Sequence, residues 1–128
     1  MKLLLSAFLS FIIIHVATAQ TNAPTEASKF KFNSETVDLG KAKVGNPVTA
    51  TFTFTNTSNE DLVIETVTPG CGCTKSDYTK EPIKPGKTGS ITATYNAAQV
   101  GNFSKKVYVK FLGIEKQHEL TIIGIVEQ

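Results

Sequence analysis

The stretch Cys71-Gly72-Cys73-Thr74 holds both cysteines of this 128-residue chain, one glycine apart. Two sulfurs at that spacing can close a local disulfide, hold a soft metal ion or exchange electrons with other thiols. Geometry is the first test. In an extended strand, residues i and i+2 have Cα atoms about 6.6 Å apart, whereas a disulfide needs Cβ atoms about 3.8 Å apart. An extended Cys71-Gly72-Cys73 therefore stays open. A turn centred on Gly72, which takes positive φ freely, would bring the sulfurs together. Energetics are the second test. Closing a three-residue loop is worth about 1.6 kcal/mol before strain, against about 4.7 kcal/mol for a 100-residue loop. As a staple the pair is weak, and a strained, exposed ring is easier to reduce than an ordinary structural disulfide. Loop shaping, metal binding and thiol-disulfide chemistry all stay open.

Structural zinc takes four ligands. The loop offers Cys71 and Cys73, with Asp77 and Glu81 nearby, and His118 is the one histidine outside the first nineteen residues. Two thiolates suit low-coordinate Cu(I) better than a tetrahedral ion. His118 opens a strand pattern and reads as a surface or edge histidine. Gly86-Lys87-Thr88 looks like the tail of a phosphate-binding loop, but Glu81 stands where that motif needs its first glycine, so the stretch is read as a turn. Lys75, Lys80, Lys84 and Lys87 alternate with Asp77 and Glu81, the pattern of a solvated loop. Asn56-Thr57-Ser58 and Asn102-Phe103-Ser104 match the short glycosylation sequon. No nucleophile-base pair or carboxylate pair is placed by a motif, so the expectation is a protein that is not an enzyme.

The elements that must carry this loop are strands. In Val48 to Thr55, Val48, Ala50, Phe52 and Phe54 alternate with four threonines, an apolar row backed by a hydroxyl row. Ile91, Ala93 and Tyr95 share a face in the same way, and so do Val107, Val109 and Phe111. Leu62 to Val67 and Glu119 to Val126 are β-branched runs, with weaker candidates at 30–32 and 36–39. Turn clusters separate them at 44–47, 56–61, 84–89 and 96–102. No long window keeps a helical period. About seven short strands with one apolar face each close a core by stacking two antiparallel sheets, an all-β, immunoglobulin-like sandwich. The chain has no tryptophan, so the likeness is one of layout. Pro69 to Gly89 is then the one long connection, and such lengths are often functional. Gly72, Thr74, Pro82, Pro85 and Gly86 are its loop-shaping residues.

Lys2, the apolar run Leu3 to Val16 and Ala17-Thr18-Ala19 have the layout of a secretory signal peptide over 1–19. The run is shorter than the roughly 20 residues of a spanning helix. The expected mature chain starts at Gln20, with a flexible lead over 20–29, one domain over 30–128 and no membrane span. It would work outside the cytoplasm, in a bacterial periplasm or secreted, where disulfides persist. Losing Lys2 lowers the formal charge from +2 to +1, too little to imply a polyanionic partner. Every basic residue is lysine, so the bidentate fork that reads phosphates and guanine is missing and nucleic acid is not an expected partner.

Asp38-Leu39-Gly40, Phe54-Thr55-Asn56, Cys71-Gly72-Cys73-Thr74, Pro82-Ile83, Pro85-Gly86, Gly101 and Ile123-Gly124, in that order, resemble the bacterial secreted family known as domain of unknown function 1573. The resemblance runs from about Phe30 to Val126. It implies an extracytoplasmic immunoglobulin-like sandwich related to chaperone-type and cilia-associated modules, and it implies no activity. The expected function is a non-enzymatic interaction module that contacts an envelope or secreted protein through a sheet edge or the cysteine loop. The alternatives are Cu(I) binding or thiol-disulfide carriage by Cys71 and Cys73.

Overall fold

The computed structural model describes residues 29–128. The expected leader and all of the lead before Lys29 lie outside the described residues. Eight strands follow in order: β1 (Phe30–Phe32), β2 (Thr36–Lys43), β3 (Val48–Asn56), β4 (Ile64–Pro69), β5 (Thr74–Tyr78), β6 (Thr88–Tyr95), β7 (Gly101–Phe111) and β8 (His118–Glu127). They form two four-stranded sheets, β1-β3-β6-β5 and β2-β8-β7-β4. Among the described residues no helix is long and apolar enough to cross a membrane.

The alternation read from the sequence fills the space between the sheets. Ala50, Phe52, Phe54, Ile91 and Ala93 come from the first sheet, and Val107, Val109, Phe111, Leu120 and Ile122 from the second, all buried. The rings of Phe54 and Phe111 meet edge to face at 5.4 Å. Burying side chains of this size contributes about 1.5–3 kcal/mol each, which makes this interior the main support of the fold. Outside it, threonine rows face water, and Thr49 and Thr94 hydroxyls pair across the strands at 2.8 Å.

Three features depart from the sequence expectation. The two sheets are not wholly antiparallel: β2 crosses over after β1 and runs parallel to β8. The chain's return from β1 at Asn33 to Glu35 delivers β2 beside the last strand in that strand's own direction. Secondly, Pro69 to Gly89 is no open connection. Its middle forms β5, paired with β6 from Thr74 opposite Tyr95 to Tyr78 opposite Ile91. Thr74-Lys75-Ser76-Asp77-Tyr78 carries no apolar row to betray a strand; pairing with β6 makes it one. Thirdly, Leu62 and Ile83 join in an isolated bridge, which buries both.

Pro85 and Gly86 form a tight turn. The Lys87 N–H donates to the Lys84 carbonyl at 2.9 Å, and Gly86 has φ 76°. Proline then glycine with positive φ is the signature of a type II turn. Gly124 serves closeness rather than φ. A Cβ there would lie 2.5 Å from the Phe103 ring and 2.8 Å from the Gly40 carbonyl oxygen, so only glycine lets β2 and the ring share that spot.

Candidate functional site

Cys71 and Cys73 sit where the chain passes from β4, at the edge of one sheet, to β5, at the edge of the other. The structure joins them as a disulfide with Cα atoms 5.3 Å apart, closer than an extended strand allows. A turn closes it, in which the Thr74 N–H points back to the Cys71 carbonyl at 3.4 Å. The turn does not use positive φ at Gly72, contrary to expectation; glycines with positive φ lie at 40, 45, 86, 101 and 113. Gly72 is exposed, and the space where its Cβ would be is open.

The pair is not carried free of the interior. Both sulfur residues are half-buried, and Cys73 packs against the core. Thr74, the first residue of β5, is 4% exposed. Its hydroxyl lies 3.7 Å from Cys71 Sγ and 3.9 Å from Cys73 Sγ.

Beyond the disulfide, side chains of β5 cap the outer carbonyls of β4. Ser76 Oγ donates to the Val67 carbonyl and Tyr78 Oη to the Glu65 carbonyl, both at 3.4 Å. Lys80 lies 3.3 Å above the Tyr78 ring centre and 3.3 Å from Asp77. The Tyr78 N–H, first, and the Lys80 ammonium, second, hold the Asp77 carboxyl below the usual range.

Asn56 locks the loops at one end of this side. It is fully buried; its Nδ2 donates to the carbonyls of Glu60 at 2.7 Å and Ile83 at 2.8 Å, and its Oδ1 accepts from the Ser58 N–H and hydroxyl. As a sequon it is unusable in the folded chain, because its amide nitrogen is committed inside. The sequence marks a turn cluster, a sequon and a family-like stretch there, but not a buried hydrogen-bonding hub.

The opposite side is different. β2 pairs with β8, and among the described residues no strand pairs with its other edge. Its register shifts between Asp38 and Lys41, a bulge at Gly40 where the Asp38 carboxylate accepts the Gly40 N–H at 2.8 Å. Beside the bulge lies a groove of about 470 Å³, lined by Asp38, Lys41, Asn102, Phe103, Ile123 and Ile125 among others. Ile125 is 43% exposed.

The other metal-ligand candidates are not gathered at the sulfurs. His118 pairs with Val109, whereas Pro69 pairs with Val107 and the chain runs on from there to Cys71. The histidine is no simple surface residue: it stacks on Phe32 at 4.8 Å, meets Phe30 edge-on at 5.2 Å and lies 3.0 Å from Glu35. Among the described residues no group of three or more His, Cys, Asp or Glu is placed to hold a metal. A closed disulfide offers no thiolate, so Cu(I) would need the reduced pair.

Two four-stranded sheets packed in this order define an immunoglobulin-like, PapD-like sandwich. The profile of the family described as "Protein of unknown function (DUF1573)" matches residues 30–126, and the chain belongs to that family. No curated protein matches it. Among solved structures it is similar to a protein of unknown function from Porphyromonas gingivalis W83, with TM-score 0.64 and 14% identity over 81% of this chain and 51% of that one. This chain thus spans about half the length of that protein. It is also similar to the ASH/PapD-like domain 7 of human CEP192, with TM-score 0.63 and 10% identity over 96% and 98% of the two chains. The YadV chaperone aligns with TM-score 0.57 and 12% identity over 78% of this chain and 53% of its own. At these identities the likeness is one of fold.

Proposed function

We propose that this chain is a non-enzymatic interaction module, working outside the cytoplasm, that takes up an extended segment of an envelope or secreted protein along β2. The observation that carries this reading is the asymmetry of the edges. Hydroxyls of β5 cap carbonyls of β4 and β1 has only three residues, while β2 presents eight with no strand beside its outer edge among the described residues. An unpaired edge is a template for strand addition, in which main-chain hydrogen bonds give affinity and adjacent pockets give selectivity. The groove over Ile123 and Ile125 supplies such a pocket, rimmed by Asp38 and Lys41. The bulge and the lysines at 41 and 43 discourage indiscriminate pairing, which suits a selective receptor.

The test is selection of random peptides of about ten residues by the folded domain. Enriched peptides should bind wild type and lose at least about tenfold in affinity to Thr36→Pro, which removes an edge N–H, and to Ile125→Lys, which puts charge in the groove. Peptides that bind both folded variants as well as wild type would place the interaction elsewhere and end the β2 reading.

A further inference from the structure

We propose that Cys71 and Cys73 form a thiol-disulfide exchange site for protein dithiols, with the Thr74 hydroxyl as the donor that receives the departing thiolate. This stands independently of the β2 reading. Three observations carry it. A buried hydroxyl normally finds a strong oxygen or nitrogen partner, yet the hydrogen bonds of Thr74 Oγ1 run to the two sulfurs. A disulfide sulfur is a poor acceptor and a thiolate a good one, so the contact is worth little in the oxidised protein and more once the bond breaks. The turn lies at the surface: Gly72 is exposed with open space where its Cβ would be, and Cys71 is only half-buried. The two sulfurs also differ, since Cys73 packs against the core and Cys71 does not.

The step follows from that difference. One thiolate of an external dithiol attacks Cys71 Sγ, the bond between Cys71 and Cys73 breaks, and its electron pair leaves on Cys73 Sγ, to which Thr74 donates its O–H. The second thiol of the dithiol, deprotonated, attacks its own partner sulfur in the mixed disulfide and releases Cys71 as a thiolate. Two electrons and two protons pass to Cys71 and Cys73, and the dithiol becomes a disulfide. In reverse, the reduced pair reduces a partner disulfide. Lys105 stands at the same end of the sandwich. The Gly70 N–H bonds the Lys106 carbonyl at 2.8 Å, which brings Cys71 level with Lys105 along β7, and the Lys105 ammonium lies 5.2 Å from the ring of Tyr95, the cross-strand partner of Thr74. A cation at this end favours thiolate over thiol.

The test uses the full folded chain. Its reduction by dithiothreitol at neutral pH is followed by alkylation and intact mass, with circular dichroism to check folding. Thr74→Val should slow reduction about fivefold and raise the thiol pKa read from the pH profile of alkylation, while Thr74→Ser should keep both near wild type; a hydrogen bond to a charged group is large enough for such a change. A purely structural threonine would leave the pH profile in place. In a second arm, Cys73→Ser should form a mixed disulfide with oxidised glutathione at Cys71 faster than Cys71→Ser does at Cys73. Unchanged rates and pH profile in folded Thr74→Val overturn the role of the hydroxyl. Equal or reversed capture by the single-cysteine variants overturns the attack on Cys71. A wild-type pair that stays oxidised in strongly reducing glutathione buffer overturns the exchange site altogether.

Discussion

The two sides of the sandwich handle the same problem in opposite ways. Where β4 meets β5, the outer carbonyls of Glu65 and Val67 accept side-chain hydroxyls from the facing strand, and the chain itself crosses from one sheet to the other through the turn that holds the disulfide. Where β2 runs, the edge has a bulge, two lysines and a groove, but no strand beside it among the described residues. An edge can be silenced by the protein's own polar atoms or left available behind a selective barrier. The contrast is why the proposed interaction surface is placed at β2, the longer edge with no strand beside it among the described residues.

The strongest way to break the sealed side is Asn56→Ala. It strips the carbonyls of Glu60 and Ile83 of a buried donor and frees Ser58, and should cost about 3 kcal/mol in chemical denaturation. On the open side, Gly124→Ala forces a Cβ against Phe103 and the Gly40 carbonyl. Overpacking of this kind should cost about 2 kcal/mol and loosen β2, visible as faster amide exchange in β2 than in β5.

Smaller changes sharpen the comparison. The double variant Ser76→Ala, Tyr78→Phe removes two long hydrogen bonds and should cost about 1 kcal/mol. It should also speed amide exchange in β4 while leaving β2 unchanged. Replacing both cysteines by serine should lower stability by no more than about 1.6 kcal/mol, since the closed loop is so short. A much larger loss would make the crossover a staple after all.

The smallest effect is on pH response. Asp77 is depressed, so its favourable contribution is present above the ordinary aspartate value of about 3.9 and is lost as pH falls below it. Because the Tyr78 N–H is the larger cause, Asp77 in Lys80→Met should still titrate below that value by NMR. A return to the ordinary value would show the ammonium to be the main partner.

Much of the fold was legible in the sequence for a simple reason. Val48 to Thr55, Ser90 to Tyr95 and Phe103 to Phe111 state which face is buried by a period of two, and the inward sets found are the ones the pattern marks. The Gly86 turn was equally local, because proline and glycine fix their own backbone angles. Thr74 to Tyr78 was illegible as a strand because its inward positions are threonine, serine and tyrosine, and the hydrogen bonds that make it a strand come from β6. His118 and Asn56 were misjudged for the same reason: a lone polar residue says nothing about which rings or carbonyls will surround it.

The sequence by itself determined two stacked apolar faces, a chain of one core and a pair of sulfurs too close together to act as a staple. The tertiary structure alone decided that the pair closes without positive φ at Gly72, that a buried threonine hydroxyl touches both sulfurs, and that among the described residues carbonyls of β4 are capped while β2 has no strand at its outer edge. Periodicity is written residue by residue along the chain. Edge pairing and the partners of buried polar atoms depend on segments far apart in sequence, and only the assembled sheets bring them together.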